Sequence, residues 1–398
     1  MLRLRSDARS AGVLACVGLL LIGWSGLLVP SLIREIERDF GQTDAGIGIY
    51  YLVGAAAYAS GSFGGGMLTE RVGRRVVLTI ATLLVGFGIA LLGLVPAWAV
   101  VLLATIPAGF GSGAIDGGMN GLVLDLYPGA RGQALNTLHL FFSVGALSSP
   151  LVVGRLVEAG VPWQAIVVGT AAVTVPVALA WTVVALPHGR RRASPVAGEP
   201  RPGRLALRWP LVALEIAIAC YVASEIGVSN WLIRFLEDAP LALATTSLSL
   251  FWGGLAVGRL VSARLSDRFD HVRYATICAL GAGLATIAAV LVPSTEASIA
   301  LFAVVGFASG PVFPLIIAIG GERHPGRAAA VSGFLTAAAV VGGLIYPPIM
   351  GFLSVNVGLP VAMIGAGLLG VACAGALLFA RSSRMQPTRN PEPVVTTD

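Results

Sequence analysis

Apolar runs long enough to cross a lipid bilayer recur along the whole chain, and polar residues gather in short breaks between them. A spanning helix needs about 20 mainly apolar residues. Runs of that size lie at 11–31, 45–67, 76–95, 98–126, 135–158, 163–186, 209–236, 243–264, 274–292, 298–321, 328–353 and 360–380. The breaks carry turn and charge signals: Pro96, YPGARG, GVPW, EDAP, SDRFDHVR, VPSTE, ERHPGR and NVGLP. The pattern predicts an all-α membrane protein with twelve transmembrane helices.

Composition agrees. Hydrophobic residues make up 56% of the 398 and charged residues 12%, against roughly 25% charged in soluble domains. So little charge does not cover a water-facing surface. The net charge of +6 would point to nucleic acid in a soluble protein. Here it marks a membrane side instead, because basic residues gather in cytoplasmic segments. All 26 cations are Arg. With the N-terminus inside, 21 fall in inner segments, Arg34 and Arg38 in an outer loop, and Arg155, Arg234 and Arg259 within span ends. Both termini are therefore expected in the cytoplasm of a multi-pass inner-membrane protein. The first run, behind Arg3, Arg5 and Arg9, reads as a span and not as a cleaved leader, since no small-residue cleavage site follows it. Trp98, Trp163 and Trp209 sit at span edges, as interfacial anchors do. Cys16, Cys220, Cys278 and Cys373 lie in apolar runs without metal spacing and read as small hydrophobes.

The Pro-, Gly- and Arg-rich stretch 187–208 separates spans six and seven. It reads as a cytoplasmic linker between an N-terminal half, 1–186, and a C-terminal half, 209–380, with a tail at 381–398. The halves echo each other. YPGARGQALN begins at Tyr127 and HPGRAAAVSG at His324, an offset of 324 − 127 = 197. Glu70-Arg71 and Asp267-Arg268 share it, 267 − 70 = 197. Two parallel repeats of six helices, related by a pseudo-two-fold axis, suit a secondary transporter with its site between the halves.

Charges inside the spans are the candidate chemistry. Asp116, in GSGAIDGGMNGLV, lies about ten residues from the end of span four. A charge at mid-bilayer costs roughly 2.5–3.5 kcal/mol on insertion scales. Such a group faces a wet cavity, carries a proton, or locks neighbouring helices. Asn120, at i+4, shares its face and has a hydrogen to give to Asp116 or to a solute hydroxyl. Glu225 is the deep acid of span seven, with Tyr221 at i−4 and Ser229 at i+4. Asn230 and Trp231 follow it. An acid beside aromatic rings suits a sugar, whose hydroxyls meet the acid and whose C–H face stacks on a ring. The bland alternative is a polar lock between helices. Glu215 lies nearer the inner end. In span five, His139 stands between Asn136 and Ser143 and is suited to hold a solute or relay a proton, or simply to pack. Tyr51, Tyr58, Phe251 and Trp252 form an aromatic stripe at helical spacing, which more often packs than lines a cavity. Arg259, near the inner end of span eight, either pairs with an acid across the halves or snorkels.

GMLTERVGRR at 66–75 resembles the loop-2–3 signature of the major facilitator superfamily, with Glu70 in place of the usual Asp. The resemblance covers the whole chain through span count, halves and repeats. GAIDGGMN, RGQALNTLHLFFSVGAL, YVASEIGVSNWLIRFL, GPVFPLIIAIG and VVGGLIYPPIMGFLS further resemble helices four, five, seven, ten and eleven of the fucose–galactose–glucose:proton symporters. That likeness implies a major facilitator fold and proton-coupled uptake of a sugar. In that family an acid in helix four near an Asn is a protonation site, which implies that role for Asp116 beside Asn120; the residues themselves add Glu225 as a second coupling acid and Asn120, Asn136, His139, Tyr221, Asn230 and Trp231 as candidate solute contacts. The likeness also implies an inner gate of Glu70, Arg71, Arg74, Arg75, Asp125, Asp267 and Arg268, with Arg71 pairing to Asp125. The best-known members carry an acid in helix one; this first span has none, so a second proton site is expected elsewhere. The implied partners are a small solute, protons and lipid, with no nucleic acid, no cofactor and no metal, in a monomer. GALSSPLVVG partly resembles the helix-five signature of drug antiporters, with Ser149 replacing a Gly, so proton-driven efflux is the rival. A sensor on this fold would carry a soluble signalling domain. The chain shows no nucleotide loop, metal cluster or nucleophile–base pair of an enzyme.

Overall fold

The computed structural model describes residues 2–186, 209–324 and 327–382. The proposed linker 187–208 and the tail beyond 382 lie outside them. The described residues form only helices, in the order α1 (Leu2–Gly26), α2 (Leu28–Ser31), α3 (Ile33–Phe40), α4 (Asp44–Val72), α5 (Arg74–Leu94), α6 (Trp98–Leu126), α7 (Arg131–Glu158), α8 (Trp163–Val183), α9 (Trp209–Phe235), α10 (Leu241–Leu265), α11 (His271–Leu291), α12 (Thr295–Ser309), α13 (Val312–Arg323), α14 (Ala328–Val357) and α15 (Leu359–Ser382). Eleven stretches are long and apolar enough to span a membrane. Helix α4 is as long as α6, at 29 residues, but its small and polar residues keep it outside that set.

Three details differ from the run pattern, each for a local reason. The first run breaks at Leu27, just before Pro30, because proline has no N–H for the ladder and crowds the preceding turn. The tenth breaks at Gly310-Pro311, between α12 and α13. The loop after the first run is itself helical: α3 buries Ile33, Glu35 and Ile36 and ends on Gly41, whose left-handed backbone (φ 60°) closes the turn.

The helices pack in two groups. In one, α4 lies on α6, α5 on α6 and α8, and α1 on α7. In the other, α9 lies on α14 and α15, α11 on α12 and α15, and α10 on α12. The largest crossings between the groups are α4 with α14 and α7 with α10; α2 and α3, which join the first group, also touch α9. Apolar lipid gives helices no hydrophobic drive to associate, so close backbone approach must hold them. Glycine supplies it. A Cβ on Gly61 would fall 2.0 Å from the Phe110 carbonyl oxygen, and one on Gly113 would fall 2.0 Å from that of Tyr58. Gly61 belongs to the GSFGGG run, which is therefore a packing surface.

Gly113→Leu should force α4 and α6 apart at the turn that carries Asp116. Overpacking of this kind costs about 1–3 kcal/mol. Thermal unfolding in detergent should show a clearly lowered midpoint; an unchanged midpoint would mean the interface yields freely.

Candidate functional site

Helices α4 and α6 aim a tyrosine and an aspartate at each other. The Tyr58 hydroxyl donates to Asp116 Oδ2 at 2.7 Å, and Asn120 Nδ2 donates to Asp116 Oδ1 at 3.2 Å. Both carboxylate oxygens are thus engaged, and Asp116 is half-buried. The Asn120 carbonyl oxygen is buried with no partner among the described residues, which leaves an acceptor for a hydroxyl or N–H group. His139, on α7, lies within electrostatic reach of Asp116 and of Arg259 on α10. Arg259 in turn reaches Glu225 on α9, beside the Tyr221 hydroxyl. Glu225 is buried, at 9% exposure. Five helices from both groups therefore bring one polar cluster together: Tyr58, Asp116, Asn120, His139, Arg259, Glu225 and Tyr221. Arg259 meets an acid of its own group and a histidine of the other. Trp252 donates to Ser229 at 2.9 Å and stacks edge-on with Phe142 across the groups.

Other expected residues lie elsewhere. Asn136 is exposed and Asn230 half-buried; the Asn230 backbone oxygen accepts from the Tyr51 hydroxyl at 3.2 Å. Trp231 does not offer a free ring face. It is fully buried against Tyr51, and its indole N–H is spent on the Pro347 carbonyl at 2.9 Å. At the end of the helices nearest the linker, Asp125 takes Arg74 at 2.7 Å, which corrects the expected Arg71 partner. Arg71 and Glu70 follow α4 round to exposed positions, whereas Arg74 opens α5 and is half-buried against α6. Arg75 donates to the Thr182 and Val184 carbonyls at the end of α8, where a cation suits the helix C-terminus. Arg268 is exposed in the turn Ser266–Arg268, and the Asp267 side chain lies outside the described ones.

The opposite end, capped by α3, holds a cluster absent from the expected gate. Arg34 donates to the carbonyls of Ile233, Leu236 and Ala239 at the end of α9, at 3.1 Å and 3.0 Å for the first and last. Arg234 returns the contact: its Nε donates to Asp44 at 2.9 Å and lies 3.1 Å from Glu37. Ser354 of α14 donates to the other Asp44 oxygen. Glu158, at the end of α7, accepts from the Ala242 N–H at 2.8 Å. These contacts, with the Tyr51–Asn230 bond deeper in, join the two groups towards this end. Beside them, the Trp163 indole donates to Asp39 at 2.6 Å and holds its carboxyl below the usual range. Burial pushes Glu35 up.

A family model described as Major Facilitator Superfamily matches residues 13–331 and, in a second match, 216–397. The chain belongs to the Major Facilitator Superfamily. It is 25% identical over 379 residues to a glucose/galactose transporter of Brucella abortus, covering 89% of this chain and 88% of that one. It is also 25% identical over 389 residues to a probable sulfoacetate transporter of Cupriavidus necator, covering 86% and 87%. Among solved structures, a bacterial homologue of the lysosomal transporter Spinster, inward-facing and unoccupied, superposes with a TM-score of 0.80 at 15% identity, over 94% of this chain and 97% of that one. A D-xylose–proton symporter gives 0.74 at 17% identity, over 92% and 96%. These structures establish the fold. The similar proteins are transporters and not enzymes, and this chain is a multi-pass membrane protein of their superfamily.

The Tyr58–Asp116 contact should be measurable by itself. A double-mutant cycle of Tyr58→Phe and Asp116→Asn, read as unfolding free energy in detergent, should return a coupling of about 1 kcal/mol. Strict additivity would mean that Tyr58 merely packs.

Proposed function

We propose that this chain is a secondary active transporter that takes up a sugar or sugar-like polar solute together with protons. The observation that carries the reading is the central cluster. A carboxylate, Asp116, is held by neutral donors from Tyr58 and Asn120, and the seam between the helix groups runs beside it, with His139 and Arg259 facing across. A carboxylate in that position exchanges a proton with water whenever one end of the seam parts. The unpaired Asn120 carbonyl and the Glu225–Tyr221 pair offer acceptors and a donor for solute hydroxyls. The glucose/galactose relative supports a sugar cargo, and the xylose symporter fold supports proton coupling.

The same reading takes α4 as the twelfth span and divides the chain into two six-helix halves, 1–186 and 209–380, joined by 187–208. It places both termini in the cytoplasm of the inner membrane and the α3 end outside. The structure is then a state closed to the outside, with the solute path leading inward between the halves of a monomer. Asp116 and Glu225 are the proton-coupling acids. Asn120, His139 and Tyr221 are the principal solute contacts. Arg74–Asp125 is a gate element at the inner end.

Purified protein in liposomes tests it. With the outside acidified, radiolabelled hexoses and pentoses should accumulate. Asp116→Asn should lower gradient-driven uptake more than tenfold while sparing gradient-free exchange, and Glu225→Gln should weaken both. If no sugar enters under any gradient, and cationic or lipophilic compounds leave in exchange for protons, the uptake reading fails in favour of efflux.

A further inference from the structure

The cluster under α3 holds more carboxylate than cation. Three acids, Glu37, Asp44 and Glu237, converge on the single guanidinium of Arg234. Two of them, Glu37 and Asp44, address the same Nε atom, at 3.1 Å and 2.9 Å. The two carboxyls also lie within hydrogen-bonding reach of each other. The other nearby cations do not restore balance. Arg34 is committed to three backbone carbonyls of the α9 end, and Arg38 points to Asp39 with its side chain 74% exposed. The remaining charged groups are acids: Glu35 and Asp39 on α3 and Asp238 after α9. Helix α14 contributes only the neutral Ser354 hydroxyl, on the far side of Asp44. Asp44 is 7% exposed. The second Glu37 oxygen is buried without a partner among the described residues.

Two ionised carboxylates in such contact, away from water, repel too strongly to persist; one proton between them turns repulsion into a hydrogen bond. We propose that Glu37 and Asp44 form a proton-binding site distinct from the central cluster, filled when the seam at the α3 end is shut and emptied when it parts. The proton comes from water at that end, forms an O–H bond on one carboxylate and is given to the other as a hydrogen bond. When the seam parts it returns to the same water. The first span carries no acid, and this pair lies just after it in sequence.

The sign follows. In the closed seam, burial and the Asp44 carboxylate push Glu37 up to about 8 from its ordinary 4.5. Exposed in an open seam, it reverts towards the ordinary value. Above pH 8 both states are ionised, and below about pH 4.5 both are protonated. Between these limits the closed state holds the extra proton, so acidification favours closure, by up to about tenfold in the closed-to-open ratio per pH unit. The site depends on the seam opening and closing, not on what the cargo is.

The test measures the seam without solute or gradient. Spin labels at Ala159, at the α7 end, and Asn356, near the α14 end, are placed in a background with the four native cysteines replaced by serine. Their distance distribution is read in nanodiscs from pH 5.5 to 8.5. The wild-type background should shift towards the short distance by at least tenfold in population ratio as pH falls. Glu37→Gln, which keeps size and a donor, and Asp44→Asn should each flatten that change to under twofold. A flat wild-type profile overturns the proposal, and so does either variant that keeps the full slope. Two variants on different helices guard against one of them failing to fold.

Discussion

The structure turns on burying Asp44 where α4 crosses α14. A Cβ on Gly351 would sit 2.3 Å from the Asp44 carbonyl oxygen, and one on Gly48 would sit 2.8 Å from that of Pro348. Only glycines on both helices let the backbones come this close. That closeness takes the Asp44 side chain out of water, and a buried carboxylate costs several kcal/mol unless it is paired and hydrogen-bonded. Arg234 of α9 and Ser354 of α14 provide the pairing. Sterics and charge are therefore satisfied only together. A seam built this way has two good states, fully shut or fully wetted, and poor intermediates.

The central cluster follows a different rule. Asp116 takes its two nearest donors, Tyr58 and Asn120, from its own helix group, so it stays solvated by protein whether or not the groups separate. Across the seam, His139 and Arg259 act at longer range. Parting the groups there breaks no short ion pair. Coulomb energy at that range falls gently with distance and rises as water leaves. The short contacts that join the two groups lie instead towards the α3 end.

Much of this was legible in the sequence, and its limits are physical. Eleven of the twelve spans follow from run length, and the burial of Glu225 within its helix is in keeping with the cost of charge in lipid. Asn120 beside Asp116 follows from helical spacing. Tyr58, fifty-eight residues away, was placed only within an aromatic stripe, because spacing says which face a residue takes and not what meets it. Arg74 rather than Arg71 reaches Asp125 because the turn at Gly73 starts a new helix and resets the facing. Trp231 looked available for stacking, yet its N–H and ring are consumed by Pro347 and Tyr51, more than a hundred residues away on either side. Asp44 opens α4, where an acid is ordinary, and nothing in its local sequence sets it apart. Its burial depends on Arg234 and Ser354, 190 and 310 residues further on, contacts that no local pattern encodes.

Helix α9 joins the two sites. It carries Glu225 at the centre and Arg234 at the α3 end, nine residues apart and therefore about 13 Å along a rigid rod. Its last carbonyls are gripped by Arg34, so the end of α9 does not move without α3. In the proposed uptake cycle, a tilt of α9 that draws Glu225 towards a solute would also swing Arg234 against Glu37 and Asp44, and loss of those carboxylates by Arg234 would free the α9 end and the Glu225–Arg259 distance with it. Linkage of this kind needs no chain of intermediate contacts, only one stiff element whose two ends each have a preferred partner. The two carboxylate sites differ in how they are held. The central one takes neutral donors from its own helix group, whereas the α3 one lies where glycines bring the α4 and α14 backbones together.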